Sequence, residues 1–516
     1  MPYGATPVFL EEHMSKKVVK NAIFIMLDTL PFNYLGCYGS NVVKTPNLDR
    51  LGRNATIFEN AYSEGLPTIP VRRCLMTGRF TLPYGGWKPL EHDDTTLADV
   101  LWGRKWQTAL IYDTPPMRLP KFGYSRGFDY VQFLPGHELD HTSYSEVPLD
   151  PTWKADQFTA PGMVYNEKGE LIDDDSRALL EELDLFLRQF QKRRTDADSY
   201  VAKVTSAARK WIEEGRDKTR PFFLWLDSFD PHEPWDPPSV WAGEPCPYDP
   251  DYKGNPIVLT PWTPLEGRIT EREAEHVRAL CMEKITLTDK WVGKLLDTLE
   301  REGLMDETLI VVTSDHGQPM GYGEHGHGIM RKCRPWPYEE LVHVPLIVHM
   351  PGTKPGQRIK GFVQNADIMP TILDAVGLLH NSEKPDSGHG FPVYDWSEMH
   401  GESLLPLMRG EKESIRDHAI AGYFGKAWSI ITEDYSYIHW IASDVRDSFI
   451  LRGELNDSEE MWSCTAGAKV IVPESDELFD RRTDPFQLKN LLKEKPDIAE
   501  QLLQKLKLRI GELRSS

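Results

Sequence analysis

The chain is short of anything that would staple or anchor it. Its 516 residues include six cysteines, at 37, 74, 246, 281, 333 and 464, with no C-x-x-C spacing. Neither a zinc knot nor a disulfide scaffold is indicated. No apolar run approaches the roughly 18 residues of a membrane span; the best, Ala22 to Leu30, is interrupted by Asp28. Positive charge is scarce as well. The 59 Lys and Arg against 79 Asp and Glu leave a net charge of −20, the wrong sign for a nucleic-acid partner. An anionic ligand would need a local cationic pocket. Residues 1–17 lack a basic start followed by an apolar core, so no secretion signal is expected. With the irregular cysteine spacing, this sets the expectation of a reducing, cytoplasmic location.

What is present reads as α/β. Asn21 to Leu27 is a buried-strand run ending at Asp28. Further strands are expected at Trp106 to Tyr112, Pro221 to Leu226, Thr308 to Thr313 and Val344 to Val348. Helices are expected after Thr45, in two stretches within 176–215, over 270–302 and near 497–512. Strands alternating with helices imply a large, mostly parallel sheet sandwiched by helices. Residues 115–175 and 233–265, rich in Pro and aromatics, read as surface loops that roof a site. Short strands after about residue 415, such as Ser429 to Trp440, suggest a smaller C-terminal α+β unit. The expected division is an N-terminal extension over 1–19, a catalytic domain over 20–415 and a C-terminal subdomain over 416–516.

Four strand ends carry polar groups: Asp28, Tyr112 to Thr114, Asp230 to His232, and Asp315 with His316. Open α/β sheets bind ligands at such ends. A fifth stretch, Thr68-Ile69-Pro70-Val71-Arg72 followed by Thr77-Gly78-Arg79, sets a hydroxyl four residues before a cationic fork suited to tetrahedral anions. The plain alternative is a loop entering a helix with Thr68 as its cap.

This fifth stretch resembles the signature of the sulfatase branch of the alkaline phosphatase superfamily. The likeness continues through Gly36-Cys37-Tyr38-Gly39, Thr45-Pro46-Asn47, Asp230-Pro231-His232-Glu233-Pro234, Ser314-Asp315-His316-Gly317, Gly323-Glu324-His325-Gly326 and Glu477-Leu478-Phe479-Asp480, from about residue 20 to 495. It implies an alkaline phosphatase-like fold and one divalent metal ion (Mn, Ca, Mg or Zn) on Asp28, Asp315, His316 and the Thr68 oxygen. It implies that Arg72 orients the nucleophile and neutralises the anion. His232 would contact the ester and protonate the leaving group, and Lys332, with Arg331 as its rival, would hold the non-bridging oxygens. His325 and His327 would be outer groups or ligands of a second metal. Tyr112-Asp113-Thr114 resembles the phosphonate monoester hydrolase and phosphodiesterase subgroup, whose Tyr and Thr hydroxyls contact substrate.

The chain departs from the family pattern at Thr68, where Cys or Ser is usual, at Val71, and at Thr29, where a second Asp is common. A threonine is not a substrate for conversion to formylglycine, so no formylglycine is expected. The leading expectation is a metal-dependent hydrolase of phosphodiesters or phosphonate monoesters with an unmodified Thr nucleophile. A sulfuric ester hydrolase on an organic or sugar sulfate is the alternative, and an inactive anion-binding relative is the third reading. The partner expected is a small anionic ester, with no nucleic acid and no membrane; a homo-oligomer is compatible with the chain.

Overall fold

Asn21–Leu27 forms β1, buried along its whole length, as its apolar composition requires. The computed structural model describes residues 19–137, 147–261, 264–332, 336–379, 399–441, 473 and 475–515. The expected extension over 1–19 lies outside these apart from Val19. β1 sits near the middle of an eight-stranded sheet with β2 (Thr56–Tyr62), β3 (Gln107–Tyr112), β4 (Tyr130–Phe133), β5 (Phe222–Ser228), β6 (Thr308–Thr313), β7 (Leu346–His349) and β8 (Gln357–Gln364). The order is β4-β3-β5-β1-β6-β7-β2-β8. Both neighbours of β1 are parallel to it, whereas β7 runs antiparallel to β6 and to β2.

Strand parity divides the core in two. Ile23, Ile25, Leu224 and Leu226 face one apolar cluster, and Ala22, Phe24, Met26, Phe223 and Trp225 face the other. The first cluster is covered by α4 (Asp174–Phe190), α5 (Tyr200–Lys210) and α6 (Glu271–Arg301). The second takes Ile69, Val71 and Leu75 of α2 (Thr68–Thr77) and Leu97, Val100 and Leu101 of α3 (Leu97–Gly103). The short α1 (Pro46–Arg53) follows Thr45, as its sequence requires, with Pro46 in the first turn. A capping box between Thr270 and Glu273 opens α6.

The two loops expected at the surface are only partly there. Phe158, Met163, Val164, Trp235, Ile257, Val258 and Leu259 are buried in the first cluster, and β4 adds an edge strand. Their apolar side chains have more to gain against α4 and α6 than in water. A smaller antiparallel sheet follows, ordered β12-β11-β10-β9: β9 (Ala419–Tyr423), β10 (Ala427–Ile431), β11 (Tyr435–Trp440) and β12 (Glu477–Asp480). The closing helix, α8 (Pro496–Ser515, with Ile368–Ala375 as α7), packs on it through Leu502, Leu506 and Ile510. Leu66 N–H donates to Gly422 O at 2.8 Å and Gly422 N–H to Glu64 O at 2.8 Å, so β9 braces the loop that leads into α2. Among the described residues no helix is long and apolar enough to cross a membrane.

Candidate active site

The face that receives α2 also receives the polar strand ends. Asp28 continues the Ala22, Phe24, Met26 phase, Asp227 continues Phe223 and Trp225, and Asp315 lies just beyond Leu309 and Val311 of β6. Adjacent strands β1 and β6 are stapled together past their ends: Thr29 N–H donates to Asp315 Oδ1 at 3.1 Å, and Leu30 N–H to Ser314 Oγ at 2.9 Å. Thr29 holds φ +60, a left-handed conformation that a β-branched residue adopts only under constraint.

Thr68 is the first residue of α2, with Pro67 rather than Thr68 in the capping position. Gly78, at φ +67, ends the helix, and its N–H donates to Cys74 O at 2.8 Å. One turn into α2, Arg72 is wholly buried among three wholly buried carboxylates. Its Nε and Nη2 donate to the two oxygens of Asp227 at 2.9 and 2.7 Å. Nη2 also donates to Asp28 at 2.9 Å, and Nη1 to Asp315 at 2.8 Å and to Thr68 O at 3.1 Å. All five N–H donors are thereby committed. The expected free fork for an anion is not offered; the guanidinium organises the carboxylates instead. Burial disfavours its charge, but Asp227, Asp315 and Asp28 outweigh that and hold its pKa above the ordinary value.

Asp28, Asp315 and His316 each offer a ligand atom within 4.8 Å of the others. Asp28 Oδ1 and His316 Nε2 are buried with no hydrogen-bond partner. His316 Nδ1 lies 2.8 Å from Gly317 O, which can only accept, so in the neutral ring Nε2 carries the lone pair. Burial raises the Asp28 pKa, with Asp315 adding to it; at Asp315, burial is overcome by His316 and Arg72, which lower its pKa to about 2. Two buried carboxylates and an imidazole with unused lone pairs fit a divalent cation, and the mixed oxygen and nitrogen set suits Mn²⁺ or Zn²⁺ better than Ca²⁺.

The loop after β5 carries the next candidates. His232 is buried and stacked on Phe229 at 4.0 Å between centroids. Its Nδ1 faces Glu233 O. Lys284 of α6 threads into the loop, donating to His232 O at 2.8 Å and Pro234 O at 2.7 Å while pairing with Asp230 and Asp236 at 2.8 Å each. Lys332 Nζ is buried without a hydrogen-bond partner, 3.9 Å from Glu233 Oε1 and 5.5 Å from the Phe229 centroid. Its positive charge is felt at Asp28. Arg331 shares Glu233 with it, at 3.1 Å, and is also bonded to Glu182. Of the two rivals, Lys332 is the one whose charge acts on Asp28.

The remaining candidates stand differently from expectation. Thr114 Oγ1 donates to Asp227 Oδ1 at 2.5 Å, and Tyr112 packs against Phe133 at 5.1 Å, its pKa raised to about 12 chiefly by burial. His327 is held by Glu340 at 2.7 Å and Gln487 O at 3.0 Å and stacks on Tyr338, so both ring nitrogens are spent and a second metal finds no ligand there. His325 is part-exposed beside Glu324. Asp227 is the residue that the motifs missed; its phase with Phe223 and Trp225 was the available signal.

A family profile described as sulfatase matches residues 20–378, and one described as N-sulphoglucosamine sulphohydrolase, C-terminal, matches residues 323–472. The chain belongs to the sulfatase family. An N-acetylglucosamine-6-O-sulfatase of Bacteroides thetaiotaomicron is 24% identical to this sulfatase-family chain, over 91% of it and 82% of the relative. Arylsulfatase K of Bos taurus is 24% identical over 94% and 81%. Among solved structures, the phosphonate monoester hydrolase of Agrobacterium radiobacter superposes with a TM-score of 0.64 at 20% identity, over 96% of this chain and 95% of that one. A protein solved with its substrate D-glucosamine-2-N,6-O-disulfate gives 0.63 at 20% identity, over 96% and 99%. These two show the shared alkaline phosphatase-like fold. As a member of the sulfatase family the protein is an ester-bond hydrolase, and a divalent metal ion goes with that family.

Proposed function

We propose that this protein hydrolyses sulfuric esters of an organic or sugar alcohol, with the unmodified hydroxyl of Thr68 as nucleophile. The observation that carries the reading is the buried Asp28–Asp315–His316 cluster at the head of the Thr68 helix, in a chain whose curated relatives are named sulfatases along most of their length. A second reading, phosphodiester or phosphonate monoester hydrolysis, draws on Tyr112-Asp113-Thr114 and the phosphonate monoester hydrolase neighbour. The commitment of the Thr114 hydroxyl to Asp227 weighs against it, because that hydroxyl is not free for a substrate oxygen.

Asp28, Asp315, His316 and the Thr68 oxygen would hold the metal ion, which when bound supplies positive charge to stabilise an oxyanion. Lys332, buried and without a hydrogen-bond partner, holds the non-bridging oxygens of the ester. Thr68 Oγ attacks sulfur as its proton passes to water, and the bond from sulfur to the leaving oxygen breaks. His232 Nε2 protonates that oxygen. A water molecule then attacks sulfur, restores the Thr68 hydroxyl and releases sulfate, and His232 regains its proton. A formylglycine sheds sulfate by collapsing to an aldehyde; threonine cannot, so the second attack must fall on sulfur.

The test compares para-nitrophenyl sulfate, a para-nitrophenyl phosphonate and bis(para-nitrophenyl) phosphate. Sulfate turnover should be fastest, should fall roughly a thousandfold in Thr68→Ala, about 4 kcal/mol of barrier, and should survive largely in Thr68→Ser. Faster turnover of the phosphonate or diester would transfer the assignment to the second reading. Binding without turnover of any ester would leave an anion-binding relative.

A further inference from the structure

We propose that Asp227 is a positioning and specificity-determining residue. By clamping Arg72 it keeps that cation from the substrate, so that the site accepts singly charged tetrahedral esters and rejects the dianion of a phosphate monoester. The proposal rests on the hydrolase reading above.

Asp227 lies at the end of β5, wholly buried, and its two oxygens accept four donors. Arg72 supplies two, at 2.9 and 2.7 Å. Thr114 Oγ1 supplies one at 2.5 Å and Trp225 Nε1 one at 3.1 Å. A residue of β5 itself and one just past the end of β3 thus hold the carboxylate, and the carboxylate holds the guanidinium edge in a bidentate pair. Asp28, Asp315 and Thr68 O take the other Arg72 donors. No N–H of Arg72 remains for a substrate oxygen.

Among the described residues Lys332 is a cation placed to meet the anion, its Nζ buried with no hydrogen-bond partner. A sulfate ester brings one negative charge. A phosphate monoester brings nearly two above its second pKa of about 6. Beside the buried Asp227 carboxylate the second charge adds repulsion, and Arg72, its N–H groups spent on the protein, offers it no hydrogen bond in return. Asp227 therefore acts twice: it adds a negative charge and it withdraws a positive one.

The experiment compares para-nitrophenyl sulfate with para-nitrophenyl phosphate at a pH above that second pKa, in full-length, metal-loaded protein. It reads kcat/KM and, separately, calorimetric binding of each ester to metal-free protein. Wild type should favour the sulfate in both. Asp227→Asn should raise the phosphate-to-sulfate ratio roughly tenfold or more, and Thr114→Val, which leaves every charge in place but loosens the clamp, by a smaller factor. A ratio unchanged in Asp227→Asn while both rates fall would make Asp227 merely structural and overturn the proposal. If Asp227→Asn does not fold, Thr114→Val decides alone, and an unchanged ratio there overturns it. Wild type inert to both esters fails the hydrolase reading instead; the binding ratio then judges Asp227 by the same criterion.

Discussion

Replacing Arg72 with alanine should destabilise the metal-free protein by about 3–5 kcal/mol, the cost of stripping one partner from a buried ion pair. Arg72, Asp28, Asp227 and Asp315 are all fully shielded from water. Four of the guanidinium donors fall on carboxylate oxygens. At about 1.5–3 kcal/mol for each hydrogen bond to a charged group, their sum exceeds the expected loss. The net figure is smaller because uncovered carboxylates take up protons or water. Even so, it is a large part of a typical stability of about 5–15 kcal/mol. Urea unfolding with chelator present is the assay, and the midpoint should fall with little change in slope. Divalent metal at a hundredfold excess over its Kd should return about 2.7 kcal/mol, since a dication replaces the missing charge. Arg72→Lys keeps the charge but not the planar fork, and should lie between. If Arg72→Ala unfolded within about 1 kcal/mol of wild type in chelator, the guanidinium would not be what neutralises the three carboxylates.

Three further outcomes follow from the same geometry. Asp315→Ala should bind Mn²⁺ or Zn²⁺ at least roughly tenfold more weakly by calorimetry and lose it on dialysis; undiminished binding would move the metal site elsewhere. His137, wholly buried with Asp230 at 2.9 Å, has its pKa lowered to about 4, mainly by burial. Below pH 6.5 the unfolded state binds that proton first, so about 3 kcal/mol of stability should drain away as pH falls from about 6.5 to 4; His137→Gln should flatten that part of the profile. Acid quench during turnover should trap a sulfated Thr68 peptide by mass spectrometry in wild type and not in Thr68→Ala, and its absence at saturating substrate would argue for direct attack by water.

What was legible in the sequence was what is written locally. β1 and β6 appear where continuous apolar runs placed them, and α6 begins at the capping box that Thr270 and Glu273 announce. β2 escaped notice because Glu59 and Asn60 break its pattern, and its register with β8 shifts between Phe58 and Asn60. β8 alternates exposed Arg358 and Lys360 with covered neighbours, as an edge strand does, and reads from sequence as a polar loop. The candidate metal ligands stood out because Asp315 and His316 are adjacent and Asp28 ends an obvious strand. Charge balance is not local. Arg331 and Lys332 are neighbours in the chain, and only packing ties up Arg331 with Glu182 while leaving Lys332 Nζ buried without a hydrogen-bond partner. Arg72 and Asp227 are separated by 155 positions, yet they form the bidentate pair that decides whether the guanidinium serves the substrate or the scaffold. A motif names the cation, but its availability depends on every carboxylate that the fold brings within reach, and in this chain β5 brings one more than the motif accounts for.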